Sequence, residues 1–135
     1  VWKGSEMYVR ARIKVCDGEK VFGDVALADT GATGIIIDES VAEELGLKTF
    51  GEAEIVTLGT VVKCSFANVS NVIVEDAEIG PRRLFVCKFP REVKERLKLM
   101  GFSERIILGV SAIEDAGYIP NTKKGVLEKV GFLAL

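Results

Sequence analysis

LADTGATGIII, residues 27–37, sets a carboxylate and a hydroxyl (Asp29, Thr30) between two apolar runs, followed by Gly31, Ala32, Thr33 and Gly34. If Val21 to Ala28 is a strand, it delivers the Asp29 carboxylate to its C-terminal end. Gly31 has no side chain, so its N–H can approach that carboxylate closely. Ala32 and Gly34 keep the surroundings open. A lone carboxylate flanked by VALA and IIID is costly to bury unless hydrogen bonds or a shared proton compensate. The tripeptide Asp-Thr-Gly arises by chance in a chain this long roughly once in 30 cases. The choice between a plain turn and a reaction centre therefore rests on what surrounds it.

Upstream, Val9, Ala11, Ile13 and Val15 alternate with Arg10, Arg12 and Lys14, which predicts a half-buried strand. Asp17-Gly18 is a hairpin-turn dipeptide, and Val21 to Ala28 is the returning strand. Downstream, Ile35 to Ile37 reads as a short buried strand. A helix over Val41 to Leu45 follows, capped by Asp38 or Ser40 and stopped by Gly46. Glu52 to Val69 is β-rich with a turn at Leu58-Gly59-Thr60. Val72 to Glu75 and Leu84 to Phe89 are two further strands, separated by a polar turn at Gly80-Pro81. Pro90 opens an amphipathic helix over Arg91 to Met100, with Val93, Leu97 and Met100 on one face and Gly101 closing it. Then comes the strand Ile106-Ile107-Leu108-Gly109, and Ser111-x-x-Glu114 reads as the capping box of a short helix ending near Gly117. Tyr118 to Leu135 reads as a polar loop and then terminal strand. Short strands with regular turn signals predict a mainly β sandwich or barrel with short helices.

With 135 residues, 48 % of them hydrophobic and a mean hydropathy of +0.26, the chain is expected to form a single domain over residues 1–135. Residues 1–6 are set aside as a frayed end or a remnant of cloning. Histidine is absent and the three cysteines (Cys16, Cys64, Cys87) are widely spaced. That removes most metal sites and every Ser-His or Cys-His nucleophile. The expectation is therefore no metal and no cofactor, with the cysteines acting as small buried hydrophobes. A net charge of −2 without a basic patch argues against a nucleic-acid partner, and no apolar run approaches bilayer length. Val1 to Met7 lacks the apolar core of a signal peptide, and the cysteine spacing fits a reducing compartment, so a cytoplasmic location is expected.

The pair LADTGATGIII and RIILGVSAIEDAG, in that order, resembles the retropepsin-like aspartic proteases, the group of retroviral proteases and their cellular and microbial relatives. The resemblance implies a closed β-barrel of retropepsin type with one D-T-G per chain, completed as a homodimer acting on peptide or protein substrates. Asp29 would be the catalytic aspartate. Thr30 would hydrogen-bond the partner's backbone across the two-fold axis, and Gly31 would orient the carboxylate through its N–H, with Ala32 beside it. Gly109 would allow close packing behind the loop. Leu27 and Ile107 would line apolar side-chain pockets, and the hairpin at Leu58, Gly59 and Thr60 would be the flap that closes over substrate. Retroviral enzymes carry an acid four residues after the aspartate and an arginine after the later glycine, which form an ion pair. Here those positions are Thr33 and Val110, so both partners are missing together. Residues 89–104 with their helix are an addition relative to the compact retroviral chain.

One aspartate cannot be general base and general acid at once. The resemblance therefore implies two Asp29 carboxylates, one from each subunit. Like charges about 3 Å apart cannot both ionise easily, so the pair holds one proton. Two other readings use the same residues: a dimerisation or peptide-binding module of this fold without turnover, and a generic β-barrel in which Asp29 sits in a turn.

Overall fold

The computed structural model describes residues 8–131; the expected frayed end at 1–6 and the last residues of the expected terminal strand lie outside that range. The strands are β1 (Arg10–Asp17), β2 (Lys20–Asp29), β3 (Ile36–Asp38), β4 (Phe50–Thr57), β5 (Thr60–Val69), β6 (Asn71–Val74), β7 (Ala77–Glu78), β8 (Arg82–Cys87), β9 (Ile106–Gly109), β10 (Tyr118–Asn121) and β11 (Val126–Lys129). The helices are α1 (Glu39–Glu44), α2 (Arg91–Leu99) and α3 (Val110–Asp115). The chain is thus mainly β. Hydrogen-bonded neighbours run β10-β11-β1-β2-β9-β3-β8-β5-β4, with β6 on β1 and β7 on β6 off this path. The path has β10 and β4 at its two ends, so among the described residues the ladder itself does not form the closed ring expected of a barrel.

Period-two alternation shapes the sheet around two cores. In β1, Ala11, Ile13 and Val15 point inward while Arg10, Arg12 and Lys14 face solvent. Near the end of β2 the alternation disappears, because Ala26, Leu27 and Ala28 are all buried. Both faces are covered there. Ala26, Ala28, Ile37, Ile106 and Leu108 belong to one apolar cluster, whereas Leu27, Ile36 and Ile107 belong to a second on the opposite face. Helix α2 covers the second cluster with Val93 and Leu97, 1 % and 0 % exposed.

Asp38 ties α1 to the β8–α2 connection. It is the N-cap of α1 and is 3 % exposed. Its carboxylate accepts from the Ser40 N–H (3.1 Å), the Ser40 hydroxyl (2.5 Å) and the Phe89 N–H (2.9 Å), with Lys94 Nζ at 3.9 Å. Burial pushes this carboxyl up, but the hydrogen bonds from Ser40 and Phe89, together with Lys94, outweigh it and hold Asp38 below its ordinary value. A depressed carboxyl stabilises the fold fully above its unfolded-state value of about 3.9, and that stability is lost as pH falls through the folded value. Asp38→Ala leaves the Phe89 N–H buried without a partner and removes the helix cap. Urea unfolding at neutral pH is expected to show a loss of about 3 kcal/mol. Asp38→Asn should flatten the acid limb of the stability curve, followed by circular dichroism below about pH 4.

Two local expectations are corrected. Helix α3 begins at Val110 with Gly109 as N-cap and no side-chain cap, so Ser111 and Glu114 do not form a capping box. Ser111 instead lies in the first turn and gives its hydroxyl to the Thr33 carbonyl. The expected polar loop after Gly117 begins instead with strand β10, antiparallel to the expected terminal strand β11, whose Val126 lies parallel beside Arg10 of β1. Pro120 sits in β10, the edge strand, where a missing N–H is tolerated.

Candidate active site

Strand β9 lies between β2 and β3, parallel to the first and antiparallel to the second. Register sets Leu27 beside Ile107 and Asp29 beside Gly109. The chain leaving β2 must therefore cross the end of β9 to reach β3, and residues 30–35 make that crossing. The passage is tight. A Cβ at Gly109 would stand 2.2 Å from the Gly34 carbonyl oxygen and 2.7 Å from the Gly34 nitrogen. Only glycine fits there. The loop is then fastened to α3: the Val110 N–H donates to Ala32 O (2.9 Å), and the Ser111 N–H donates to Thr33 O (3.1 Å) beside its hydroxyl. Thr33 is linked to α3 through neutral hydrogen bonds. Ser111 is thus a site-building residue that local sequence reasoning assigned to a cap.

Asp29 is half-buried at the tip of β2. The Gly31 N–H donates to its Oδ1 at 2.9 Å, and the Ala32 N–H donates to its carbonyl at 3.1 Å. A Cβ at Gly31 would stand 3.2 Å from Oδ1, so the absent side chain lets the amide come this close. Thr30, Gly31 and Thr33 are exposed and Ala32 is buried. One carboxylate is thereby presented at the surface of the chain in a fixed orientation, on a loop anchored from below.

A cavity of about 290 Å³ opens beside this loop, lined by Gly31, Ala32, Thr33, Gly34, Ile36, Ile55, Val56 and Phe85. Strand β4 faces the Asp29 loop across it. Leu27 and Ile107 do not border the cavity; they lie 3 % and 0 % exposed in the second cluster. The lining side chains Ile55, Val56 and Phe85 carry no local signal. Phe85 reaches the site only because β3 pairs parallel with β8, Ile36 opposite Phe85. The β4–β5 hairpin turns through Leu58 (φ 48°) and Gly59 (φ 77°), with Thr57 paired to Thr60. Leu58 packs against the second cluster, and its carbonyl accepts from Arg96 of α2.

The cysteines lie apart from this chemistry. Cys64 and Cys87 are buried, and burial pushes both thiols up, which disfavours the nucleophilic thiolate. No group of three or more potential metal ligands occurs among the described residues. Among them, too, no helix is long and apolar enough to cross a membrane.

The sequence matches the family described as "Aspartyl protease" over residues 9–112, which takes in the Asp29 loop, the β4–β5 hairpin, α2 and β9. The fold is similar to the crystal structure of a retropepsin-like aspartic protease from Rickettsia conorii, at 18 % identity and a TM-score of 0.50. That alignment covers 90 % of this chain and 89 % of the other. No curated protein sequence matches the chain significantly. With the family pattern spanning most of its length and Asp29 standing at the crossing of β2 over β9, the chain belongs to the aspartyl protease family and has a retropepsin-like fold.

Proposed function

We propose that the protein is a homodimeric aspartic endopeptidase whose catalytic dyad consists of Asp29 from each of two subunits. The observation that carries this reading is the half-buried Asp29 carboxylate, aimed by the Gly31 N–H on a loop that Gly109 and α3 hold rigid. A chain with one such aspartate has half of an acid–base pair. In the dimer the two carboxylates share one proton. The ionised member takes a proton from water as that water attacks the peptide carbonyl. The protonated member donates to the carbonyl oxygen, and the two exchange roles as the tetrahedral intermediate collapses.

Thr30, exposed in the single chain, is assigned to the contact with the partner's loop, and Gly31, Ala32 and Gly109 to the support of the carboxylate. Leu58, Gly59 and Thr60 form the flap. Leu27 and Ile107 shape the apolar bed beneath the cleft, and the cavity rimmed by Ile36, Ile55, Val56 and Phe85 receives an apolar side chain of the substrate. No cofactor, nucleic acid or membrane enters the mechanism. The buried thiols of Cys64 and Cys87 fit a reducing, cytoplasmic setting.

The reading makes activity depend on concentration. Specific activity toward an apolar peptide at mildly acid pH should fall on dilution, with its midpoint at the dimer dissociation constant found by sedimentation. A species that sediments as a monomer and still cleaves would end the shared-dyad mechanism.

A further inference from the structure

Helix α2 and the tip of the β4–β5 hairpin are joined by two kinds of contact. The Arg96 guanidinium donates to the Leu58 carbonyl at 2.5 Å. Beside it, Ile55, Leu58 and Val62 of the hairpin belong to or pack against the same apolar cluster as Val93 and Leu97 of α2. Two features of the hairpin show that its own sequence does not account for this conformation. Leu58 has φ 48°, in the left-handed region where a leucine is strained and persists only when its surroundings hold it. Asparagine before glycine would suit such a turn far better. Thr57, 2 % exposed, keeps its hydroxyl buried without a hydrogen-bond partner among the described residues. Both features burden the hairpin in this conformation.

We propose that α2 is the dock of the flap, and that Arg96 is a positioning residue that holds the flap tip by its Leu58 carbonyl. This rests on the reading of the hairpin as a flap. It gives residues 89–104 a role within the same chain: the helix sets how long the hairpin stays docked, with Ile55 and Val56 held against the cavity beside the Asp29 loop. The docked tip is held at one carbonyl and is locally strained, so it is poised to lift when that contact is lost.

Amide hydrogen exchange of residues 55–62 in the full chain tests the dock without relying on catalysis. Arg96→Ala should speed exchange in the hairpin about three- to tenfold, the net effect of one ordinary hydrogen bond, since solvent exposure screens the guanidinium charge. Arg96→Lys, which keeps one charged donor, should restore part of the protection. Thr57→Val, which removes the unpartnered hydroxyl, should slow exchange. Leu58→Asn is the sharpest variant, because it improves the turn and removes the apolar anchor. The dock requires faster exchange in Leu58→Asn, with little further change when Arg96→Ala is added. Unchanged hairpin exchange in Arg96→Ala, an equal rise throughout the chain, or slower exchange in Leu58→Asn would each overturn the proposal. In peptide cleavage, Arg96→Ala should raise KM by a similar factor with a smaller change in kcat, and Arg96→Lys should recover it. A wild-type protein that cleaves no peptide would refute the endopeptidase reading, and hairpin exchange would still decide the dock.

Discussion

Asp29→Asn is expected to lower peptide cleavage by about 10³-fold or more while leaving the fold intact. The substitution is close to isosteric, and the asparagine carbonyl oxygen still accepts from the Gly31 N–H that now meets Oδ1. The crossing over β9 depends on Gly109 and on the hydrogen bonds from Val110 and Ser111, none of which involves the Asp29 side chain. What disappears is the ability to take and return a proton, and general acid–base catalysis alone contributes about 10²–10⁴-fold. In the proposed dimer both halves of the dyad would be lost at once, because every subunit carries the change. Cleavage should be followed from about pH 3 to 7 beside a thermal melt. A melt within a few degrees of wild type, with activity near the detection limit across the whole range, is the predicted outcome. Substantial cleavage surviving the substitution would remove Asp29 from the mechanism.

Gly109→Ala is expected to have the largest effect on stability, a loss of about 3 kcal/mol or more. The added methyl would meet the Gly34 carbonyl oxygen at 2.2 Å, the Gly34 nitrogen at 2.7 Å and the Thr33 carbonyl carbon at 2.7 Å. All three are backbone atoms in a loop pinned to α3, so no rotamer change relieves the clash. Overpacking of a close-packed interior typically costs about 1–3 kcal/mol, and a rigid backbone neighbour puts this case at the upper end or beyond. Relief requires the loop to lift from β9, which would also displace Asp29. Gly31→Ala makes the useful contrast. Its Cβ would meet only Asp29 Oδ1, at 3.2 Å, so a shift of a few tenths of an ångström suffices. Urea unfolding should therefore separate the two variants clearly, and a Gly109→Ala protein within 1 kcal/mol of wild type would contradict the tight crossing.

The Asp29 loop could be read from sequence because its geometry demands small residues locally. Gly31 and Ala32 beside the carboxylate, and a glycine ending Ile106–Gly109, are visible without knowing what pairs with what. The β1 alternation and the Asp17-Gly18 turn were legible for the same reason. Features that depend on distant pairing were not. Phe85 borders the cavity only through the parallel β3–β8 ladder. Asp38 was placed correctly as a candidate cap, yet its second partner, Phe89, lies 51 residues away and makes it a buried junction. Ser111 has the spacing of a capping box, but Gly109 packed under Gly34 starts α3 one residue before it, and the Thr33 carbonyl captures the hydroxyl. The start of Tyr118 to Leu135 reads as a polar loop because β10 is an edge strand with a proline, and such strands need little apolar content. The amphipathic stripe of α2 was plain in the sequence; that it lies against the hairpin tip depends on β5 and β8 being neighbours.

Subunit mixing tests the shared dyad most directly. Wild-type protein and Asp29→Asn are combined in equal amounts, with total chain concentration held well above the dimer dissociation constant and exchange of subunits verified by sedimentation. If each active site needs Asp29 from both chains, only the wild-type homodimers cleave, and activity per wild-type chain falls to about half that of the unmixed enzyme. Activity per wild-type chain that stays unchanged, as independently acting chains would give, or that rises to about 1.5 times, as fully active heterodimers would give, would mean that a single Asp29 suffices, and the dimeric mechanism would be wrong.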